Sequence, residues 1–99
     1  MGIPRLSADQ AKKLLGHLPN WRLLPDARAI QAEYRFENFR EAAGGVQKIV
    51  RLAEAANHHP DLHLTRYRFL KIVLTTHAVH GLSAKDFALA GKIQRSFSR

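Results

Sequence analysis

Between residues 29 and 56 the hydrophobic pattern of this chain changes period, and that switch limits the folds open to it. From 29 to 36 apolar and polar residues alternate, with Ile30, Ala32, Tyr34 and Phe36 on one side and Gln31, Glu33 and Arg35 on the other. A period of two belongs to a strand with one buried face. From 39 to 56 the apolar residues Phe39, Ala42, Ala43, Val46, Ile49, Val50, Ala53 and Ala56 recur every three or four positions. That spacing is one face of a long helix. Its start is marked by Asn38 with Glu41 three residues on, and Pro60 is expected to stop it. Gly44 and Gly45 weaken it locally, by about 1 kcal/mol each relative to Ala.

Similar signals flank this unit. Ser7-Ala8-Asp9-Gln10 is a capping box opening a short helix that ends near Gly16. Ser83-Ala84-Lys85-Asp86 opens another, with Phe87, Ala90, Ile93 and Phe97 along one side. Short strands are expected at 21–24, 62–66 and 69–75, the last placing Leu70, Ile72 and Leu74 together. Pro25-Asp26-Ala27 suits a hairpin turn between the first two strands. The order is therefore α-β-β-α-β-β-α. It predicts an α+β fold, a four-stranded antiparallel sheet with three helices on one face, as a single domain over 1–99. The alternating strand at 29–36 is long and reads as an exposed edge of the kind that invites pairing with a second copy, so a homo-oligomer is expected.

Composition removes several function classes. Without cysteine there is no disulfide scaffold, thiol nucleophile, cysteine-ligated zinc or iron–sulfur centre. No run of about 18 apolar residues offers a membrane span. Residues 1–10 mix Pro4, Arg5 and Asp9 and lack an apolar secretory core, so a cytoplasmic location is expected. The 16 Lys and Arg against 8 Asp and Glu, a net charge of +8, raise the question of nucleic acid. The cations are scattered, however, with Lys12-Lys13 the only adjacent pair, and Tyr67 between Arg66 and Arg68 is a single aromatic. Nucleic acid is not the expected partner; the charge leaves an acidic protein partner open.

Five of the six histidines, His58, His59, His63, His77 and His80, fall within 23 residues. Imidazole gives and takes protons near neutrality. Three readings stand side by side: surface or capping histidines, a metal site, and metal-free acid/base catalysis on a small substrate. His59 and His63 are four apart and His77 and His80 three apart, but that spacing aligns ligands only on a helix. Pro60 breaks the helix of the first pair, and Gly81 with the Ser83 cap places the second pair ahead of a helix, so no metal is expected.

The run Glu54-Ala55-Ala56-Asn57-His58-His59-Pro60, followed by Tyr67, Thr75-Thr76-His77, Gly81-Leu82-Ser83 and Asp86, resembles the pterin-4a-carbinolamine dehydratase family. Glu54, His58, His59, Pro60, Tyr67, His77 and Asp86 fill that family's signature with gaps of three, six, nine and eight residues, about a third of the chain. The resemblance implies dehydration of a 4a-hydroxytetrahydropterin to the quinonoid dihydropterin, with no cofactor and no metal. It assigns His58 and His77 as general acids at the hydroxyl, one for each face of the pterin. His59 would bind the ring and accept a nitrogen proton. Glu54, a turn before His58, would orient that histidine. Pro60 would fix the turn that aims the two histidines, and Asp86 would either touch the substrate or only cap its helix through Ser83. Tyr67 reads as packing, and His63 and His80 receive no role. Leu62 stands where animal members carry Trp. The family also implies dimers through joined sheets, often paired into tetramers. Its non-catalytic relatives, a transcriptional coactivator and carboxysome-associated assembly factors, supply the alternative of a protein-binding role.

Overall fold

The computed structural model describes residues 2–97. Helix α1 (Ala8–Leu15) starts at the expected capping box: Gln10 N–H donates to Ser7 Oγ at 3.1 Å and Ser7 N–H to Gln10 Oε1 at 2.8 Å. Strands β1 (Trp21–Leu23) and β2 (Ile30–Arg35) are joined through a 3-10 turn at Pro25–Ala27, in which Asp26 and Ala27 take positive φ. Helix α2 (Phe39–Ala56) is capped by Asn38, whose Oδ1 accepts from Glu41 N–H at 2.9 Å. Strands β3 (Asp61–Thr65) and β4 (Phe69–Leu74) form a hairpin, and helix α3 (Ala84–Phe97) closes the chain. The α+β order is the expected one.

All strand pairs are antiparallel, in the order β1-β2-β4-β3. Here the edge assignment needs correction. β2 is an interior strand, paired on one side with β1 and on the other with β4, and has no free edge. The exposed edges belong to β1 and β3. Inward side chains share one face, as the register Ile30↔Leu74, Ala32↔Ile72 and Leu62↔Ile72 requires. They pack with Ala11, Ile49, Ala53, Leu89, Ala90 and Ile93 of the helices into a single core. Outward, Glu33 opposes Lys71 and Lys71 opposes His63, a face that stays wet.

Two features of α2 depart from the periodic reading. Its buried stripe is Ala42, Gly45, Ile49 and Ala53, whereas Phe39 and Val50 are 59% and 48% exposed. Both lie to one side of the stripe on the helical wheel, so spacing alone could not separate them from it. Gly45 belongs to the stripe because a Cβ there would come within 2.5 Å of the Phe36 ring; at Gly44 a Cβ would meet nothing within 4 Å. The helix also ends before Pro60 acts. Asn57 adopts the left-handed region (φ 51°), which Asn tolerates better than most residues. His58 N–H then donates back to Ala53 C=O at 3.1 Å, closing a Schellman-type turn.

Candidate active site

That turn decides where the two adjacent histidines go. Had the helix continued, Glu54 and His58 would share a face. Instead the left-handed Asn57 turns the chain, and His59 returns over Glu54, with Nε2 to Oε2 at 2.7 Å. The expected Glu54–His58 pairing is thus corrected: Glu54 holds His59, in an exposed pair. His58 points inward to the start of α3, where its Nε2 lies 2.6 Å from Asp86 Oδ1. Its side chain is 10% exposed and that of Asp86 fully buried.

Asp86 is held from three directions. Oδ2 accepts from Thr76 Oγ1 at 2.8 Å and from Ser83 N–H at 2.9 Å, and Oδ1 faces His58. The bond to Ser83 N–H is half of a capping box, so the helix cap and the histidine contact are made by the same carboxylate. Hydroxyl protons in this cluster are fixed by counting. Thr76 spends its single proton on Asp86, so in its 2.8 Å contact with Ser83 Oγ it accepts and Ser83 donates. Ser83 Oγ in turn accepts from Lys85 N–H at 3.3 Å. A carboxylate at Oδ1 requires His58 to donate from Nε2, which leaves Nδ1 as the nitrogen for other chemistry.

His77 begins a 3-10 turn (His77–Val79) just beyond β4. It follows Thr76 directly, so it sits beside the cluster that holds His58, with its side chain exposed. The loop is pinned by a bridge between Thr76 and Gly81, with Thr76 N–H to Gly81 C=O at 2.8 Å. His80 adopts positive φ at the end of this turn and His63 lies on the outer sheet face; neither joins the cluster. Tyr67 is 58% exposed at the β3–β4 turn, so it is a surface residue rather than packing. Among the described residues no three His, Asp or Glu side chains converge as a cation site would require, and no helix is long and apolar enough to cross a membrane.

Thr76 and Ser83 are functional candidates that motif reading passed over. One signal for Thr76 was present: Leu70, Ile72 and Leu74 face inward, and the same alternation carries Thr76 to the core side. A hydroxyl in that register has to find a partner. Two clefts lie away from the histidines. One, of about 930 Å³, runs between α2 and the ends of β2 and α3 past Phe36, Lys48, Arg68 and Phe97. It reaches Tyr34, whose hydroxyl burial pushes towards a higher pKa against weaker opposing contacts from Asn20 and Trp21. The other, of about 940 Å³, lies beside α1 and the Pro25–Ala27 turn. Neither is lined by His58, His59 or His77.

Comparison with known proteins points to one family. The family model described as Pterin 4 alpha carbinolamine dehydratase matches residues 4–96. A Methylococcus capsulatus protein named "Putative pterin-4-alpha-carbinolamine dehydratase" is 40% identical over 93% of this chain and 80% of its own length. A Chloroflexus aurantiacus protein of the same name is 42% identical over 92% of this chain and 95% of its own. The crystal structure of a transcriptional coactivator/pterin dehydratase from Brucella melitensis superposes with a TM-score of 0.87 at 26% identity, covering 93% of this chain and 97% of that one. A pterin dehydratase-like protein identified as a RuBisCO assembly factor in the alpha-carboxysome shares the fold, with a TM-score of 0.65 at 16% identity over 77% of this chain and 87% of that one. With the match running from ahead of α1 into the last turn of α3, the chain belongs to the pterin-4a-carbinolamine dehydratase family.

Proposed function

We propose that this protein dehydrates 4a-hydroxytetrahydropterins to quinonoid dihydropterins, by imidazole acid/base chemistry at the rim formed by the end of α2 and the loop after β4. The observation that carries the reading is the His58–Asp86 pair at 2.6 Å, a largely buried imidazole anchored on a fully buried carboxylate beside a second histidine. Loss of the 4a hydroxyl as water needs one proton delivered to oxygen and one removed from a ring nitrogen, so the sum is substrate to product plus water. Asp86 fixes the His58 ring through Nε2 and supports the imidazolium, and His58 Nδ1 is the atom that exchanges the proton. His77, exposed on the neighbouring loop, serves as the acid for the opposite face of the pterin. His59, held by Glu54, binds the ring and takes the nitrogen proton. Pro60 keeps the strand that follows on a fixed course, and Asp86 acts through His58 rather than by touching substrate.

Turnover of chemically generated 4a-hydroxytetrahydropterin, followed by absorbance, tests this. The wild type should accelerate the reaction, and His58→Ala and His77→Ala should each lower the rate by about 10²-fold or more for the half of the substrate whose hydroxyl the missing histidine serves, while circular dichroism stays native. Unchanged turnover in both variants would refute the assignment. A second reading, docking of an acidic protein, is favoured by charge. The chain carries a net charge of +8, and among the described residues no Lys or Arg lies within 4.0 Å of a carboxylate, so none is engaged by an acidic side chain of the chain itself. A folded wild type without dehydratase activity would favour it.

A further inference from the structure

The hydrogen-bond plan around Asp86 gives one residue a disproportionate share of the geometry. Thr76 is 7% exposed, and every polar group it owns is engaged. Its N–H donates to Gly81 C=O, and its C=O accepts from Val79 N–H at 3.1 Å and Gly81 N–H at 3.4 Å. Its hydroxyl donates to Asp86 Oδ2 and accepts from Ser83 Oγ. The backbone half of this set fixes the loop that begins at His77. The side-chain half fixes the carboxylate that holds His58. We infer that Thr76 is a positioning residue for both histidines, its hydroxyl locking Asp86 so that His58 stays in the Nε2–H tautomer with Nδ1 free. The inference rests on the dehydratase reading for its kinetic consequence and on geometry alone for the tautomer.

The physical argument is one of alternatives. Without the Thr76 hydroxyl, Asp86 Oδ2 keeps only the Ser83 N–H, and the carboxylate is free to pivot about that single bond. Oδ1 then no longer meets His58 Nε2 at a fixed angle, and the ring gains a second tautomer. The Ser83 hydroxyl, which points its proton at Thr76, loses its acceptor at the same time. The backbone bonds of the loop are untouched, so His77 keeps its place.

Thr76→Val, close in shape and lacking the hydroxyl, is expected to lower kcat about tenfold, or about 1.4 kcal/mol, with KM within about twofold. Thr76→Ser is expected to restore kcat. Long-range ¹H–¹⁵N spectra of His58 at about pH 8.5, above the ordinary histidine range, supply a readout independent of activity. The wild type should show a protonated Nε2 and a bare Nδ1, and Thr76→Val a mixture of tautomers. Wild-type kcat with an unaltered His58 spectrum in Thr76→Val would overturn the inference, as would a wild type protonated at Nδ1. Where Thr76→Val does not fold, Thr76→Ala takes its place: it removes the same hydroxyl from Asp86 Oδ2, is expected to give the same mixture of His58 tautomers, and an unaltered spectrum with unaltered kcat overturns the inference. A wild type inactive on the pterin would overturn the dehydratase reading instead, and the tautomer spectra would still decide the role of Thr76.

Discussion

His58 and His59 are neighbours that hold carboxylates at nearly equal distances, 2.6 and 2.7 Å, in opposite surroundings. The His58–Asp86 pair has side chains 10% and 0% exposed, the His59–Glu54 pair 60% and 69%. Removing one partner of a buried, hydrogen-bonded pair strands the other and everything bonded to it, whereas water and salt screen an exposed pair. Asp86→Ala is therefore expected to cost about 3 kcal/mol of stability, seen as a lower urea midpoint, while Glu54→Gln leaves the midpoint where it was. Equal losses would contradict the contrast in burial. The histidines and their spacing were legible in the sequence; their partners were not. Which carboxylate meets which imidazole depends on the left-handed Asn57, a single dihedral choice that no periodicity encodes. Thr76 was hidden for another reason. Its meaning comes from Asp86, ten residues on, and only the folded loop joins them.

Among the elements, α2 does most to place the site, since its C-terminal turn delivers both histidines. Its glycines test how it is seated. Gly45→Ala would drive a Cβ into the Phe36 ring, which packs edge-on against Phe97 at 5.5 Å between centroids and has little room to retreat. A loss of about 1–3 kcal/mol is expected from such overpacking. Gly44→Ala meets open space and should gain up to about 1 kcal/mol from helix propensity. Thermal melts of the two variants should move in opposite directions, and a stabilised Gly45→Ala would mean that Phe36 is not fixed as described. Existence and type of all seven elements were readable because the period changes cleanly between them. The helix stop at Asn57 and the shift of the buried stripe away from Phe39 and Val50 were not, because each depends on what packs opposite.

At the scale of the molecule, strand order is the property that periodicity could not supply. The longest alternating segment, taken for an edge, became interior because β4 returns to pair with it, which leaves β1 and β3 at the margins. We propose assembly into a dimer or tetramer that covers one of these edges or the exposed strip at Phe39 and Val50. Light scattering at micromolar concentration should report a multiple of 11.2 kDa, and a monomeric mass would contradict the proposal. The central claim is that two imidazoles, His58 and His77, serve opposite faces of one pterin. Racemic 4a-hydroxytetrahydropterin tests it most directly. Wild type should consume both enantiomers, and each single alanine variant should process about half of the substrate fast and the rest slowly, with the two variants sparing opposite halves. Monophasic curves at the wild-type rate in both variants, or no acceleration by the folded wild type, would contradict the account.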